Sequence, residues 1–138
     1  MVMDPLMNSS KIAQSGLKVQ TQRLRVISEN LANADSLAQT PEGLPYQRKT
    51  VTFKNELDRE MGTKLVKVDK VRPDSAEFQR RYDPKHPAAD RDGYVLAPNV
   101  NPLIEMMDMR EAQRSYEANL QVIQTSRAMM DRTMDLLK

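Results

Sequence analysis

Residues that could carry out chemistry are few in this chain and lie far apart. His86 is the only histidine and there is no cysteine, so the sequence offers neither a thiolate metal site nor two histidines at helical spacing. Asp90 and Asp92 resemble the start of a calcium-binding loop, but the twelfth position is Asn101, where such a loop needs glutamate. We therefore expect no metal and no cofactor, with His86 in a loop and a turn ahead of Gly93.

Catalytic machinery is also missing from the pattern. The sequence has no Gly-rich phosphate-binding loop and no serine or cysteine nucleophile with a credible base. With four tyrosines, two phenylalanines and no tryptophan, it is poor in the aromatic side chains that line small-molecule pockets. The chain is therefore predicted not to be an enzyme and to have no small-molecule substrate. Turnover that depends on His86 would reverse that prediction.

Charge and hydropathy limit the remaining classes of function and the expected location. The net charge of +2 is near balance and argues neither for nor against nucleic acid. No run approaches the ~20 apolar residues of a transmembrane segment. The amino terminus lacks the basic and apolar stretches of a cleaved secretory signal, so the expected location is cytoplasmic unless the chain is exported by a route that ignores such signals.

The strongest pattern in the sequence lies in residues 101–138. Apolar side chains recur there at alternating steps of three and four, which is typical of a helix that lays one stripe along a partner helix. The stripe consists of Met106, Met109, Gln113, Tyr116, Leu120, Ile123, Arg127, Met130, Met134 and Leu137. A helix of this length would extend roughly 50 Å, which is too long to bury its whole stripe inside one small domain.

The same alternation, narrower and with polar interruptions, predicts a first helix in residues 1–36. Its stripe consists of Leu6, Ser10, Ala13, Leu17, Gln20, Leu24, Ile27, Leu31 and Ala34. Asp4 fits the N-cap and Pro5 the first helical position. Two helices of a small bundle are one interpretation; helices that also pair with neighbouring molecules are the other.

Residues 37–100 differ from both ends. They contain six of the eight prolines, which excludes long helices. Residues 46–53, 64–71 and 93–97 favour strands, and 78–82 fit a fourth. The predicted fold is mainly α with a small β insertion: long N- and C-terminal helices pair as a coiled coil, and the segment between them is extended.

Several separated motifs resemble those of bacterial flagellar axial proteins of the rod and hook class. The first are SGL at residues 15–17 and QRLRVISENLANA at 22–34. They are followed by HPAAD at 86–90, DGYV at 92–95, PNVN at 98–101, EMMDM at 105–109 and SYEAN at 115–119. This series spans nearly the whole chain and is similar to the proximal rod proteins in particular.

The resemblance implies a structural, self-assembling subunit of the flagellar basal-body rod. Its terminal helices would form the inner tube around the export channel, and residues 37–100 would lie outside and transmit torque. It implies partners among copies of the chain, other rod proteins, the basal-body membrane ring and the type III export apparatus. The implied location is the periplasmic rod, reached without a cleaved signal peptide.

We predict the assembly interface from the stripes and the motifs together. The predicted residues are Leu17, Leu24, Ile27, Asn30, Leu31, Asn33, Met106, Met109, Tyr116, Asn119, Leu120, Ile123, Arg127, Met130, Met134 and Leu137. The apolar members could equally belong to the core of one chain. For Asn30 and Asn33 the alternative is helix C-capping, and for Arg127 it is a side chain that reaches solvent.

A rival interpretation is a binding module, either a dimeric coiled-coil adaptor or a nucleic-acid-binding protein. Its basic residues would be Arg23, Arg25, Arg48, Lys49, Arg80 and Arg81, with the last two beside Tyr82. Acidic residues are interspersed throughout the chain, which weakens this interpretation. DNA affinity that falls steeply with salt would support it.

Overall fold

The computed structural model describes residues 3–137, with the backbone alone described for Met3 and Asp4. The predicted cap at Asp4 therefore lies outside the described side chains. In chain order the elements are α1 (Met3–Ala32), β1 (Lys49–Asp58), β2 (Thr63–Pro73), β3 (Gln79–Tyr82), β4 (Tyr94–Ala97) and α2 (Pro102–Leu136). The predicted fold class, mainly α with a small β insertion, is confirmed.

Polar residues of the sequence cap one end of each helix. At the start of α2, the Asn101 side chain accepts a hydrogen bond from the Leu103 N–H at 3.1 Å, and Pro102 occupies the first helical position. At the end of α1, the Asn33 side chain donates to the Glu29 carbonyl at 2.9 Å. Asn33 therefore caps the C-terminal end of α1, which is the alternative to an interface role given in the sequence analysis.

The four strands form two separate two-stranded sheets, β1 with β2 and β3 with β4. β3 and β4 are antiparallel, with Tyr82 opposite Tyr94. The predicted turn before β4 is present: Gly93 has a φ of 83°, which favours glycine, and the Asp90 carboxylate accepts the Asp92 and Tyr94 N–H groups.

β1 begins three residues later than the sequence predicts. Residues 46–48 follow the sequence pattern of a strand, but the N–H groups of Tyr46 and Arg48 do not join the hydrogen-bond ladder of a sheet. The Tyr46 N–H donates to the Ser36 carbonyl at 3.1 Å, and the Arg48 N–H donates to the Asn99 side chain at 2.7 Å. Because residues outside the sheet accept these two hydrogen bonds, the strand ladder starts at Lys49.

The chain forms two compact units, each assembled from separated stretches. The first contains Met1–Leu24, Thr52–Lys70 and Arg110–Lys138; the second contains Arg25–Val51 and Val71–Met109. Each long helix contributes to both. The predicted division into 1–36, 37–100 and 101–138 follows the chain rather than these contacts and stays a prediction.

In the first unit the helices run antiparallel and come close together through small side chains. Gly16 of α1 lies against Asn119 of α2, and seven residues further along α1, Arg23 pairs with Glu111 at 3.5 Å. Ala13 and Ala112 are buried beside these positions in the sequence. A Cβ atom at residue 16 would lie 2.8 Å from the Asn119 side-chain nitrogen, so a larger residue there would force the Asn119 carboxamide to move.

Gly16→Ala tests this close approach. Alanine gains about 1 kcal/mol of helix propensity over glycine, whereas crowding a packed site costs about 1–3 kcal/mol. We expect Gly16→Ala to lower the free energy of unfolding in the native background and to raise it by about 1 kcal/mol in an Asn119→Ala background. Urea unfolding followed by circular dichroism measures both. The same effect in the two backgrounds would show that the residues do not touch.

Candidate functional site

A polar network surrounds the buried carboxylate of Glu105 in the second unit, with the partly buried Arg48 at its centre. The Arg48 Nε bonds the Glu105 carboxylate, its Nη1 lies 3.1 Å from the Asp74 carboxylate, and its Nη2 lies 3.8 Å from that of Asp108. Glu105 is fully buried in the first turn of α2. A carboxylate at such a site needs a charged partner, because an uncompensated buried charge is strongly destabilising.

Asn30 of α1 is the second member of the network and is also buried. Its side-chain nitrogen donates to the Glu105 carboxylate at 3.2 Å and to the Lys49 carbonyl at 2.9 Å. Its oxygen accepts the Lys49 N–H and the Tyr46 hydroxyl, each at 2.9 Å. These four bonds use the full capacity of a carboxamide. The side chain thus pairs with the backbone of Lys49 much as a neighbouring strand would.

Asn99 plays a similar part in the loop before α2. Its oxygen accepts the Arg48 N–H, and its nitrogen donates to the carbonyls of Asp74 and Ala76 at 3.2 and 2.9 Å. The Asp74 N–H in turn donates to the Arg48 carbonyl at 2.7 Å. Two asparagines and one arginine therefore connect four chain segments that are far apart in sequence.

The electrostatics agree with this geometry. A hydrogen bond from the Ala76 N–H, followed by one from Arg48, lowers the pKa of Asp74 below its ordinary 3.8. Burial lowers the pKa of Arg48, but hydrogen bonds to Glu105 and Asp74 outweigh that effect and raise it. Burial and the nearby Glu29 carboxylate raise the pKa of Tyr46. The network therefore keeps Arg48 and Asp74 ionised near neutral pH.

The chemistry of this arrangement is structural. Among residues 3–137 there is no group of three or more histidine, cysteine, aspartate or glutamate side chains that could hold a metal ion. His86 lies in a loop, as predicted, where its Nδ1 accepts the Ala88 N–H at 3.1 Å. The carboxylates of the network bond arginine and amide donors, and such contacts fix the positions of chain segments.

The predicted interface residues fall into three groups by exposure. Buried are Ile27, Asn30 and Ile123; partly buried are Leu17, Leu24, Leu31, Asn33, Met109, Tyr116, Asn119 and Met130; exposed are Met106, Leu120, Arg127, Met134 and Leu137. Of these, only Asn30 belongs to the polar network. The role of the whole set in assembly stays a prediction.

The buried line of α2 shares only Ile123 with the predicted apolar stripe. It runs through Glu105, Ala112, Ile123 and Ser126, so one isoleucine and three small or polar residues face inward while several methionines and leucines remain outside. Sequence reasoning missed Arg48, Tyr46, Asp74, Asn99 and Glu105 as network residues. The available signal was that Asn99 and Glu105 lie within the quoted motifs PNVN and EMMDM.

The basic residues of the rival binding module are mostly paired within their own units. The Arg23 guanidinium pairs with Glu111, Arg48 is in the network, and Lys49 bonds Glu29. Arg80 and Arg81 pair with Asp90 and Asp35, each at 3.1 Å, and Arg80 also lies over the Tyr94 ring. Paired cations are poorly placed to neutralise phosphates. The adaptor or nucleic-acid interpretation is not favoured.

Comparison with known proteins gives the class. A family model described as "Flagella basal body rod protein" matches residues 11–36, and one described as "Flagellar basal body rod FlgEFG protein C-terminal" matches residues 91–136. The first range contains Asn30 and the second contains Asn99 and Glu105. Both matches are to rod proteins of the flagellar basal body.

Full-length relatives narrow the class. The flagellar basal-body rod protein FlgC of Agrobacterium fabrum is 59% identical over 136 residues, covering 99% of this chain and 98% of the relative. The protein of the same name from Salmonella typhimurium is 42% identical, covering 95% and 97%, and that of Borreliella burgdorferi is 36% identical, covering 96% and 98%. The chain belongs to the FlgC family of flagellar basal-body rod proteins. The resemblance read from the motifs is confirmed.

Removing the buried carboxylate should destabilise the second unit. We expect Glu105→Ala to lower the free energy of unfolding by about 1–3 kcal/mol, because Arg48 and Asn30 each lose a hydrogen-bond acceptor. The exposed Glu117→Ala on the same helix is the matched control, with an expected change within about 0.5 kcal/mol. Urea unfolding measures both. Equal midpoints for the two variants would contradict a structural role for Glu105.

The network also predicts a direction for the pH dependence of stability. The pKa of Asp74 is lower in the folded protein than in the unfolded chain, so its contribution is present above pH 3.8 and is lost as the pH falls through the folded value. We expect Asp74→Asn to reduce the loss of stability on acidification. Unfolding measured from pH 7 to pH 2 tests this. An unchanged acid slope in the variant would contradict it.

Proposed function

We propose that this chain is a structural subunit of the flagellar basal-body rod. It self-assembles through its terminal helices into a tubular drive shaft that transmits torque and encloses the export channel. Membership of the FlgC family supports the rod assignment. The single observation that carries the assembly mechanism is the set of large apolar side chains exposed on α2.

These side chains lie towards the two ends of α2, in residues 103–107 and 120–136. The exposed set is Leu103, Ile104, Met106, Met107, Leu120, Val122, Met129, Met134 and Leu136, with exposed fractions from 40% at Leu120 to 87% at Leu136. Apolar surface of this extent usually marks a contact with another molecule. Methionine suits such a contact because its unbranched side chain adapts to slightly different neighbours.

The proposal extends to partners, location and the lack of catalysis. Partners would be copies of the chain, other rod proteins, the basal-body membrane ring and the type III export apparatus. The location would be the periplasmic rod, reached without a cleaved signal. Among residues 3–137, no helix is long and apolar enough to span a membrane. The polar network supports a non-enzymatic role, because each of its groups positions a neighbouring chain segment.

Purified basal bodies test this function. We expect the protein in their rods, and we expect the double variant Leu120→Glu/Met134→Glu to be absent, because placing carboxylates in an apolar contact costs several kcal/mol. Both positions are exposed, at 40% and 51%, so the unfolding midpoint of the isolated variant should be nearly unchanged. Glu117→Ala is the control and should be incorporated normally. Absence of the wild-type protein from basal bodies would contradict the proposal.

A further inference from the structure

The outer edge of β1 is an open strand edge. β1 pairs with β2 alone in a two-stranded sheet, and every residue from Thr52 to Leu57 is exposed. The strand has ten residues and contains neither proline nor glycine, which proteins often use to interrupt an exposed edge. The N–H and C=O groups along such an edge can bind another strand, because they lack partners in their own sheet.

Ion pairs show how β1 and β2 are aligned. Lys54 of β1 lies 3.6 Å from Asp69 of β2, and Glu56 lies 2.6 Å from Lys67. Side chains that lie opposite each other in an antiparallel pair share a face of the sheet, so these four belong to one face. Because side chains alternate between faces along a strand, the odd-numbered residues of 53–57 belong to the other face.

The same alignment shows which backbone groups of β1 point outward. The Val66 N–H points away from β1, because it donates to the Ser15 hydroxyl at 3.3 Å. Backbone groups alternate in direction along a strand, so the odd-numbered residues of β2 face β1, and the even-numbered residues opposite them face β2. The N–H and C=O groups at the odd positions of 53–57 therefore point outward. Lys49 has the same direction, since its N–H and C=O both bond Asn30.

The sequence of this edge complements itself when two copies run in opposite directions about Asn55. Lys54 then lies opposite Glu56 of the second copy, and Phe53 lies opposite Leu57 of the second copy. Each pairing occurs twice, because the arrangement has a two-fold axis. Phe53 and Leu57 are 40% and 55% exposed, so both are available. The outward-pointing positions also match one another, as a hydrogen-bonded ladder requires.

The ion pairs within each copy are compatible with this contact. Across the joined sheets the charged face has, in order, Asp69, Lys54, and then Glu56 and Lys67 of the second copy, so the charges alternate in sign. The side chains of Lys54 and Glu56 are 53% and 49% exposed in the single chain. A parallel arrangement in register would place like charges opposite each other, so the charges select the antiparallel one.

We propose that two copies of this chain pair antiparallel through the outer edges of β1, with the two-fold axis at Asn55, and form one four-stranded sheet. A two-fold contact points its two copies in opposite directions, whereas a tube grows through head-to-tail contacts. The dimer is therefore a form of the free protein and separates before a subunit joins the rod. Only this last step rests on the proposed rod function.

Two single cysteine variants test the register, because the chain has no cysteine of its own. Asn55→Cys places two cysteines opposite each other with Cα atoms about 5.5 Å apart, within reach of a disulfide. Thr52→Cys, exposed on the same strand, is the matched control, because its two copies would lie about 20 Å apart. We expect mild oxidation of the purified full-length protein to give about tenfold more covalent dimer for Asn55→Cys than for Thr52→Cys.

Two results would overturn the proposal. One is the absence of a covalent dimer of Asn55→Cys. The other is an equal yield from the two variants, which parallel pairing in register or random collision would give. Neither result affects the rod-subunit function, which fails only if the protein is missing from basal bodies.

Exchanging charges between copies gives an independent readout. Lys54→Glu alone places carboxylates opposite each other, and Glu56→Lys alone places ammonium groups opposite each other, so each variant should dimerise about tenfold more weakly than the wild type. A mixture of the two variants has opposite charges at both pairings and should form mixed dimers with about the wild-type affinity. Sedimentation velocity measures all three samples.

The mixture also controls for effects within one chain. Each variant loses an ion pair with β2, but that loss is the same in the single sample and in the mixture. Unchanged dimerisation of the single variants, or no gain in dimer on mixing them, would overturn the proposed pairing.

Discussion

The burial of one carboxylate constrains the second unit more than any other feature. Glu105 is fully buried, so its charge has to meet Arg48 and Asn30 for the unit to fold. Those partners come from a helix and from the chain just ahead of a strand, both far away in sequence. A network of this kind adds little net stability over apolar packing, but it penalises every arrangement in which a partner is displaced. The network therefore specifies how α1, α2 and the start of β1 are aligned with one another in this unit.

The first unit is stabilised by a different interaction, the close packing of two helix segments. Small side chains let its two helix segments approach closely, as at Gly16 and Asn119. Because Ala112, Ile123 and Ser126 occupy the inward positions of α2 in this unit, several of its methionines and leucines remain exposed on the outside. Such a helix pair buries modest apolar area by itself and gains more when a neighbour covers the exposed face.

Much of the fold could be read from the sequence because it depends on local signals. Periodicity located both helices, prolines excluded helix from the middle, and β-branched residues located the strands. The network could not be read in the same way. In the sequence, Arg48 is one of the basic residues of the rival binding module and Glu105 is part of the motif EMMDM, and nothing local shows that they meet. The stripe of α2 also placed Met106 and Leu120 in a seam, and within the chain both are exposed while Glu105, Ala112, Ile123 and Ser126 are buried.

Native-state hydrogen exchange of the isolated protein tests most directly whether the network holds the second unit together. The Lys49 N–H donates to Asn30 and the Arg48 N–H to Asn99. If the network is the constraint described, both amides should exchange only through cooperative unfolding, on the order of a hundredfold or more slower than unprotected amides. Exchange of these two amides at the rate of an unfolded peptide, in a protein whose helices are intact, would contradict the account.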